Sequence, residues 1–287
     1  MTEIATTTHV HNLFGERQEE AAFTGDTALV QVSYERDALG RITTKTETLG
    51  GASDVFDYRY DLAGRLDQVR KNNLVTAAYQ YDSNGNRISG QNIDGAITTS
   101  YDAQDRLLSY NGKTYTYTAN GELLTKTEAG VTTTFDYDEL GNLLQVVVPG
   151  GVTVDYLIDG QNRRIGKKLN GALTQGFLYQ DQLKPVAELD GSGNVVARFV
   201  YADKLNVPSY MIKGGNTYRI VSDHLGSPRL VIDVVTGAIA QRMDFDEFGQ
   251  VLNDTNPGFQ PFGYAGGIYD LHTGLVRFGV RDYDAEV

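Results

Sequence analysis

The chain has 287 residues, 40% hydrophobic and 22% charged, which is the composition of a folded protein and not of a disordered one. Its net charge of -12 disfavours nucleic acid as a partner, because a phosphate backbone is met by clustered Lys and Arg, and the absence of cysteine excludes disulfides and thiolate metal sites. No apolar run approaches the ~18 residues of a membrane helix. Met1 to Val10 has neither the basic nor the apolar region of a signal peptide, so export would have to use another signal or a dedicated machine.

Residues 1–29 form a segment of uncertain structure, with 11–22 the one weak helix candidate in the chain. His9 and His11 fall here. Together with His224 and His272 they show no zinc-binding spacing, and no cofactor motif is found elsewhere.

From residue 30 onward a unit recurs: an aromatic, an Asp, two variable residues, a Gly, a polar residue and an aliphatic. Its clear copies are Tyr60-Asp61 with Gly64-Arg65-Leu66, Tyr81-Asp82 with Gly85, Arg87 and Ile88, and Tyr137-Asp138 with Gly141-Asn142-Leu143. Asp37 with Gly40 lacks the Tyr, Tyr101-Asp102 has Asp105 in place of Gly, and Tyr117 precedes Thr118 and Gly121. Asp159 with Asn162, Asp190 with Gly193, and Phe245-Asp246 with Gly249 extend the series. The spacing from Asp61 to Asp159 is about 20 residues per unit, as in a repeat array.

The unit has a physical reading. An Asp at the first position caps backbone N–H groups of a type I turn, and a Gly at the fourth accepts the positive φ that follows, so each copy is a hairpin tip. The flanking runs at 114–117, 131–137 and 152–158 are rich in Thr, Val and aromatics and are expected as strands. Aromatics two apart, such as Tyr58 and Tyr60 or Tyr79 and Tyr81, share a sheet face and are expected to pack as ladders that set register, in preference to stacking on a ligand. The chemistry therefore predicts an all-β protein, a succession of antiparallel β-hairpins. Two acidic groups, Asp244 with Asp246 and Glu247, and the turn Asp190 to Asn194, offer oxygens to a hard cation but lack a calcium-loop pattern, and no metal site is assigned.

These tandem units resemble the YD repeats of the rearrangement hotspot (Rhs) family, of the C component of tripartite insecticidal toxin complexes, and of the teneurins. Downstream, Ser222-Asp223-His224-Leu225-Gly226-Ser227-Pro228-Arg229-Leu230, Asp244 to Gly249, Phe262 to Gly267, Tyr269-Asp270 with Thr273-Gly274-Leu275, and Arg281-Asp282-Tyr283-Asp284 resemble the Rhs-associated core in order and spacing. The resemblance runs from about Val30 to Val287, and it implies three parts: 1–29, a YD-repeat β-shell strip over 30–215, and a core or plug region over 216–287, truncated at its end.

In the family the repeats coil into a hollow shell around a variable C-terminal domain, often a toxin, and the core resembles an intramolecular aspartyl protease. By position, Asp282 matches the first catalytic Asp and Arg281 the adjacent Arg. The second Asp would lie beyond Val287, so the pair is incomplete here and a dyad needs two carboxyls. The resemblance thus implies a structural shell fragment more than an enzyme. Roughly seven to nine units are too few to enclose a folded domain. The implied partners are a C-terminal effector, the rest of the shell and a secretion machine, with delivery outside the producing cell. Two alternatives are a module whose tyrosines bind carbohydrate or a cell surface, and an aspartyl autoprotease in a longer protein.

Overall fold

A computed structural model of the chain describes residues 5–202 and 204–287, and among them 27 β-strands and one short 3-10 turn, Tyr264–Gly266. The chain divides into two compact units, one ending at Tyr115 and one spanning Thr116–Val287. The expected boundary at 29/30 falls inside the strand Thr27–Arg36, and that at 215/216 falls in the turn between Tyr210–Lys213 and Asn216–Ser222.

Both units are meanders in which a strand pairs antiparallel with the next. In the first, Ala5–His11 pairs with Arg17–Thr24, which pairs with Thr27–Arg36, and so on to Lys113–Tyr117. In the second the same succession runs from Leu123–Glu128 to Val251–Asp254. The expected strands lie at Lys113–Tyr117, Val131–Tyr137 and Val152–Ile158. A separate three-stranded sheet, Ile268–Tyr269, Leu275–Phe278 and Arg281–Asp284, ends the second unit.

The repeat turn is built as its sequence requires. At Asp61 the backbone N–H of Gly64 donates to the Asp61 carbonyl at 3.0 Å, and that of Asp61 to the Arg65 carbonyl at 2.9 Å. The Asp61 Oδ1 accepts the Arg65 N–H at 2.9 Å, and Oδ2 accepts Arg65 Nε at 2.8 Å. Gly64 sits at φ 84°, and the register shifts between Arg59 and Tyr60, the signature of a type I turn closed by a bulge. Asp105 and Asn162, which replace the Gly, take φ 61° and 62°. Asp and Asn tolerate this region better than other side chains.

Successive units are then stitched together. Tyr60 OH donates to the Ile42 carbonyl, Tyr81 OH to Leu66, Tyr101 OH to Arg87, Tyr179 OH to Arg164 and Tyr201 OH to Pro185, at 2.7–3.1 Å. The basic residue that ends one turn covers the tyrosine of the next unit: Arg41 over Tyr60, Arg65 over Tyr81 and Arg163 over Tyr179, at 4.6–5.2 Å from the ring centroid. The recurrent aromatic contact is therefore a cation on a ring face, supplied by the polar position of the repeat.

Two expectations are corrected. Residues 11–22 form no helix: they span the end of Ala5–His11, a turn and the start of Arg17–Thr24. Asn12 acts there as Asp does in the repeat, its Oδ1 accepting the N–H groups of Phe14 and Glu16, with Gly15 at φ 77°. Second, Asp190 with Gly193 is not a repeat copy. Turn chemistry is local and blind to which strand end it closes. That turn joins Pro185–Asp190 to Val195–Val200, at the edge opposite the repeat turns, while the unit after Asp159 is the less obvious turn Gln180 to Lys184.

Candidate functional site: charged residues buried around Asp282

The last sheet is fixed to the wall of the second unit by both apolar and charged contacts. Leu275 packs into a cluster of Phe135, Leu143, Val146, Val154 and Tyr156, and Phe262, outside the sheet but bridged to its residue Ile268, packs into one of Ala197, Phe199, Met211, Ile220 and Val231. At Gly266, φ 78°, an added side chain would collide with the Asn206 carbonyl, so only glycine permits that approach.

Asp282 lies at the centre of the polar part. Its Oδ1 accepts Arg164 Nη2 and its Oδ2 accepts Arg277 Nη1, each at 2.7 Å. Both arginines are 3% exposed. Arg277 is a cross-strand neighbour, its Cα paired with that of Asp282, whereas Arg164 begins the strand Arg164–Leu169 of the wall. Arg277 also donates through Nη2 to Asn142 Oδ1 and the Asn162 carbonyl, at the tips of two repeat turns, and through Nε to the Gly279 carbonyl. Arg164 stacks on Tyr156 with its guanidinium carbon 3.4 Å from the ring centroid.

Tyr156 OH in turn donates to Asp270 Oδ2 at 2.9 Å, and Lys167 Nζ lies 3.2 Å from that oxygen. A carboxylate, two guanidiniums and a second carboxylate with its lysine thus form one buried chain of contacts.

The charges act on one another as burial dictates. Burial pushes the Arg277 guanidinium below its ordinary range, opposed by the charge of Asp282 and assisted by that of Arg164. Burial also raises the phenols of Tyr156 and Tyr137, with Asp270 and Asp282 adding to it respectively. For Asp270 burial acts upward, yet Lys167 and the His272 N–H hold the carboxyl below its usual value.

Arg281, the other residue singled out from sequence, is exposed. Neighbours on a strand point to opposite faces, so adjacency to Asp282 turns Arg281 away from it. The arginines that do meet Asp282 were not anticipated. Arg277 could have been found from the hairpin around Gly279, which sets it opposite Asp282; Arg164 is 118 residues away and carries no local signal. Of the acidic group considered for a cation, Asp244 faces Arg229 and Arg242 at 2.7 and 2.8 Å.

The family described as Teneurin YD-shell matches residues 2–287, reaching further toward the N-terminus than the repeat motifs alone. The chain is 29% identical over 262 residues to Teneurin-3 of Mus musculus and 28% identical over 292 residues to Teneurin-4 of Homo sapiens, covering 88% and 99% of this chain and 10% of each relative. It is 26% identical over 256 residues to the tRNA3(Ser)-specific nuclease WapA of Bacillus spizizenii, covering 88% of this chain and 9% of that protein. The chain therefore spans about a tenth of the length of these relatives.

Among solved structures, the Photorhabdus luminescens Tc holotoxin pore aligns over 98% of this chain and 19% of its own at 16% identity and a TM-score of 0.40. The TcdB2-TccC3 crystal structure aligns over 98% and 20% at 15% and 0.39. The antiparallel meander, its tyrosine–aspartate turns and the match along nearly the whole sequence make this chain a member of the teneurin YD-shell family.

Proposed function

We propose that the chain is a wall and closure segment of a YD-repeat shell that encloses a C-terminal effector and is delivered with it by a dedicated export machine. In this reading 30–215 form the wall strip and 216–287 the closure. The observation that carries it is the anchoring of Asp282: the final sheet is bound to wall residues Arg164, Asn142 and Asn162 through a buried charged contact, as a closure requires. A relative named as a tRNA-specific nuclease supports an effector joined to such a shell.

The test is protease accessibility in the full-length protein that carries this segment. The polypeptide following Val287 is expected to survive digestion while the shell is intact and to be degraded once the shell is opened with urea. Degradation at the same rate in both conditions overturns the enclosure.

A second reading attaches to Asp282 itself, as half of an aspartyl autoprotease completed by a carboxyl from beyond Val287. Asp282 then acts as the proton-sharing group and Arg281 as its neighbour, and the dyad has to form beside the two guanidiniums that occupy the Asp282 oxygens. Mass spectrometry of an extended chain decides it: a cleaved parent beside an intact Asp282→Asn variant supports catalysis, and cleavage of both removes it. A carbohydrate-binding reading needs open tyrosine faces, but all 18 tyrosines are buried or half-buried.

A further inference from the structure

Four Asn–Gly pairs occur in the chain: Asn84-Gly85, Asn111-Gly112, Asn120-Gly121 and Asn170-Gly171. A glycine after asparagine carries no Cβ to crowd its own amide nitrogen, so that nitrogen can approach the carbon of the asparagine carboxamide. Whether it does so depends on how firmly the turn holds the asparagine, and three of the four are held.

Asn111 and Asn170 sit at φ 49°, and the Oδ1 of each accepts a backbone N–H, of Thr98 and Thr153 respectively, at 2.8 Å. Asn84 lies at the tip of the Asp82 turn. Its N–H donates to Asp82 Oδ1 at 2.9 Å and its Nδ2 to Asp105 Oδ1 at 2.8 Å.

Asn120 is exposed, and among the described residues neither its side chain nor its backbone N–H has a hydrogen bond. The cause is Thr118. In the turns at Asp37, Asp82, Asp102, Asp138 and Asp159 the carboxylate accepts the N–H two residues on, at 2.8–2.9 Å. Thr118 stands in that place with a single hydroxyl, which donates to the Glu122 carboxylate and accepts the Glu122 N–H at 3.2 Å, leaving Asn120 untied.

We propose that the Thr118 turn leaves Asn120 a site of spontaneous modification, at which the Gly121 nitrogen attacks the Asn120 carboxamide and the residue becomes aspartate or isoaspartate.

The step needs only water and hydroxide. The Gly121 N–H leaves its 3.1 Å bond to the Thr118 carbonyl and gives its proton to hydroxide, and its nitrogen forms a bond to Asn120 Cγ. The bond from Cγ to Nδ2 breaks, and Nδ2 takes a proton from water and departs as ammonia, which regenerates the hydroxide. Water then opens the cyclic imide at either carbonyl, giving aspartate or its β-linked isomer, with no change in oxidation state. Gly85 gives up a similar bond, to the Asp82 carbonyl at 3.3 Å, so the two turns are separated by the two bonds on Asn84. Those bonds are worth on the order of tenfold in rate. The product places a negative charge, and in the isomer one extra backbone carbon, at the tip joining Lys113–Tyr117 to Leu123–Glu128.

Incubation of the folded chain in mildly alkaline buffer tests this, with peptide-resolved mass spectrometry at all four pairs and enzymatic methylation of isoaspartate as a second readout. Asn120 is expected to convert about tenfold faster than Asn84, Asn111 or Asn170, and unfolding in urea should bring the four rates together. Thr118→Asp, which restores the missing acceptor, should slow Asn120 about fivefold and leave the other three unchanged. Equal rates at the four sites in the folded chain overturn the proposal, and so does a difference that persists undiminished in urea. An unchanged Asn120 rate in folded Thr118→Asp counts against it equally, and should that variant fail to fold, the comparison among the four sites decides alone. No part of the test depends on what the shell encloses.

Discussion

Arg164 and Asp282 lie 118 positions apart in the chain and meet at 2.7 Å, the guanidinium 3% exposed and the carboxylate close to buried. Removing one member of such a pair strands the other charge, at a cost of about 3–5 kcal/mol. Asp282→Ala is expected to cost that much, because it strands Arg277 as well as Arg164. Arg164→Met combined with Asp282→Ala should cost clearly less than the sum of the two single changes, as read from urea unfolding. Strict additivity would mean that the two groups do not interact.

The stitching between repeats predicts a smaller, distributed effect. Tyr81→Phe deletes the hydrogen bond from its hydroxyl to the Leu66 carbonyl while keeping the ring beneath Arg65. The expected loss is about 0.5–1.5 kcal/mol, the net worth of one hydrogen bond, with hydrogen exchange accelerated in the strands Leu66–Lys71 and Leu74–Tyr81. A loss as large as that of Asp282→Ala would contradict this assignment.

Two glycines near equivalent turn tips should respond oppositely to alanine. Gly64 occupies φ 84°, where a Cβ is strained, so Gly64→Ala should destabilise by about 1–2 kcal/mol. Gly160, in the turn after Asp159, has ordinary backbone angles and open space around its Cα, so Gly160→Ala should stabilise by up to about 1 kcal/mol through the unfolded chain. Thermal midpoints of the two variants check the contrast.

Acid should act on the protein in two opposite directions. Backbone N–H bonds hold Asp61 and Asp102 below their ordinary value, and the Arg41 side chain does so for Asp37. Their contribution is present above 3.8 and is lost as pH falls through their still lower folded values. Asp246, raised to about 6, contributes the reverse: its share is lost as pH rises through that value. Stability is therefore expected to peak between these limits, and Asp246→Asn should remove only the decline on the alkaline side. A thermal midpoint in the parent that does not fall as pH rises through 6 would contradict it.

Much of the wall was legible in the sequence because its determinants are local. The alternation in Val131–Tyr137, the Asp138 cap and the Gly141 turn lie within eleven residues of one another, and each is decided by its own backbone. What escaped was of two kinds. Turns of different chemistry escaped because another side chain does the same work: Asn12 caps as Asp does, and at the far edge Asn72, Asn111 and Asn170 each lend Oδ1 to the N–H of Val55, Thr98 and Thr153, continuing the ladder by one bond. The site around Asp282 escaped because it is tertiary. The family resemblance pointed to Arg281 beside Asp282, while strand alternation turns that residue outward and brings Arg277 and the distant Arg164 to the carboxylate.

The proposed enclosure of a cargo by this segment can be seen or excluded by electron cryo-microscopy of the full-length protein: a continuous β wall closed at the Asp282 anchor, with density for the polypeptide after Val287 inside it, is the expected result, and a downstream domain lying wholly outside that wall would contradict it.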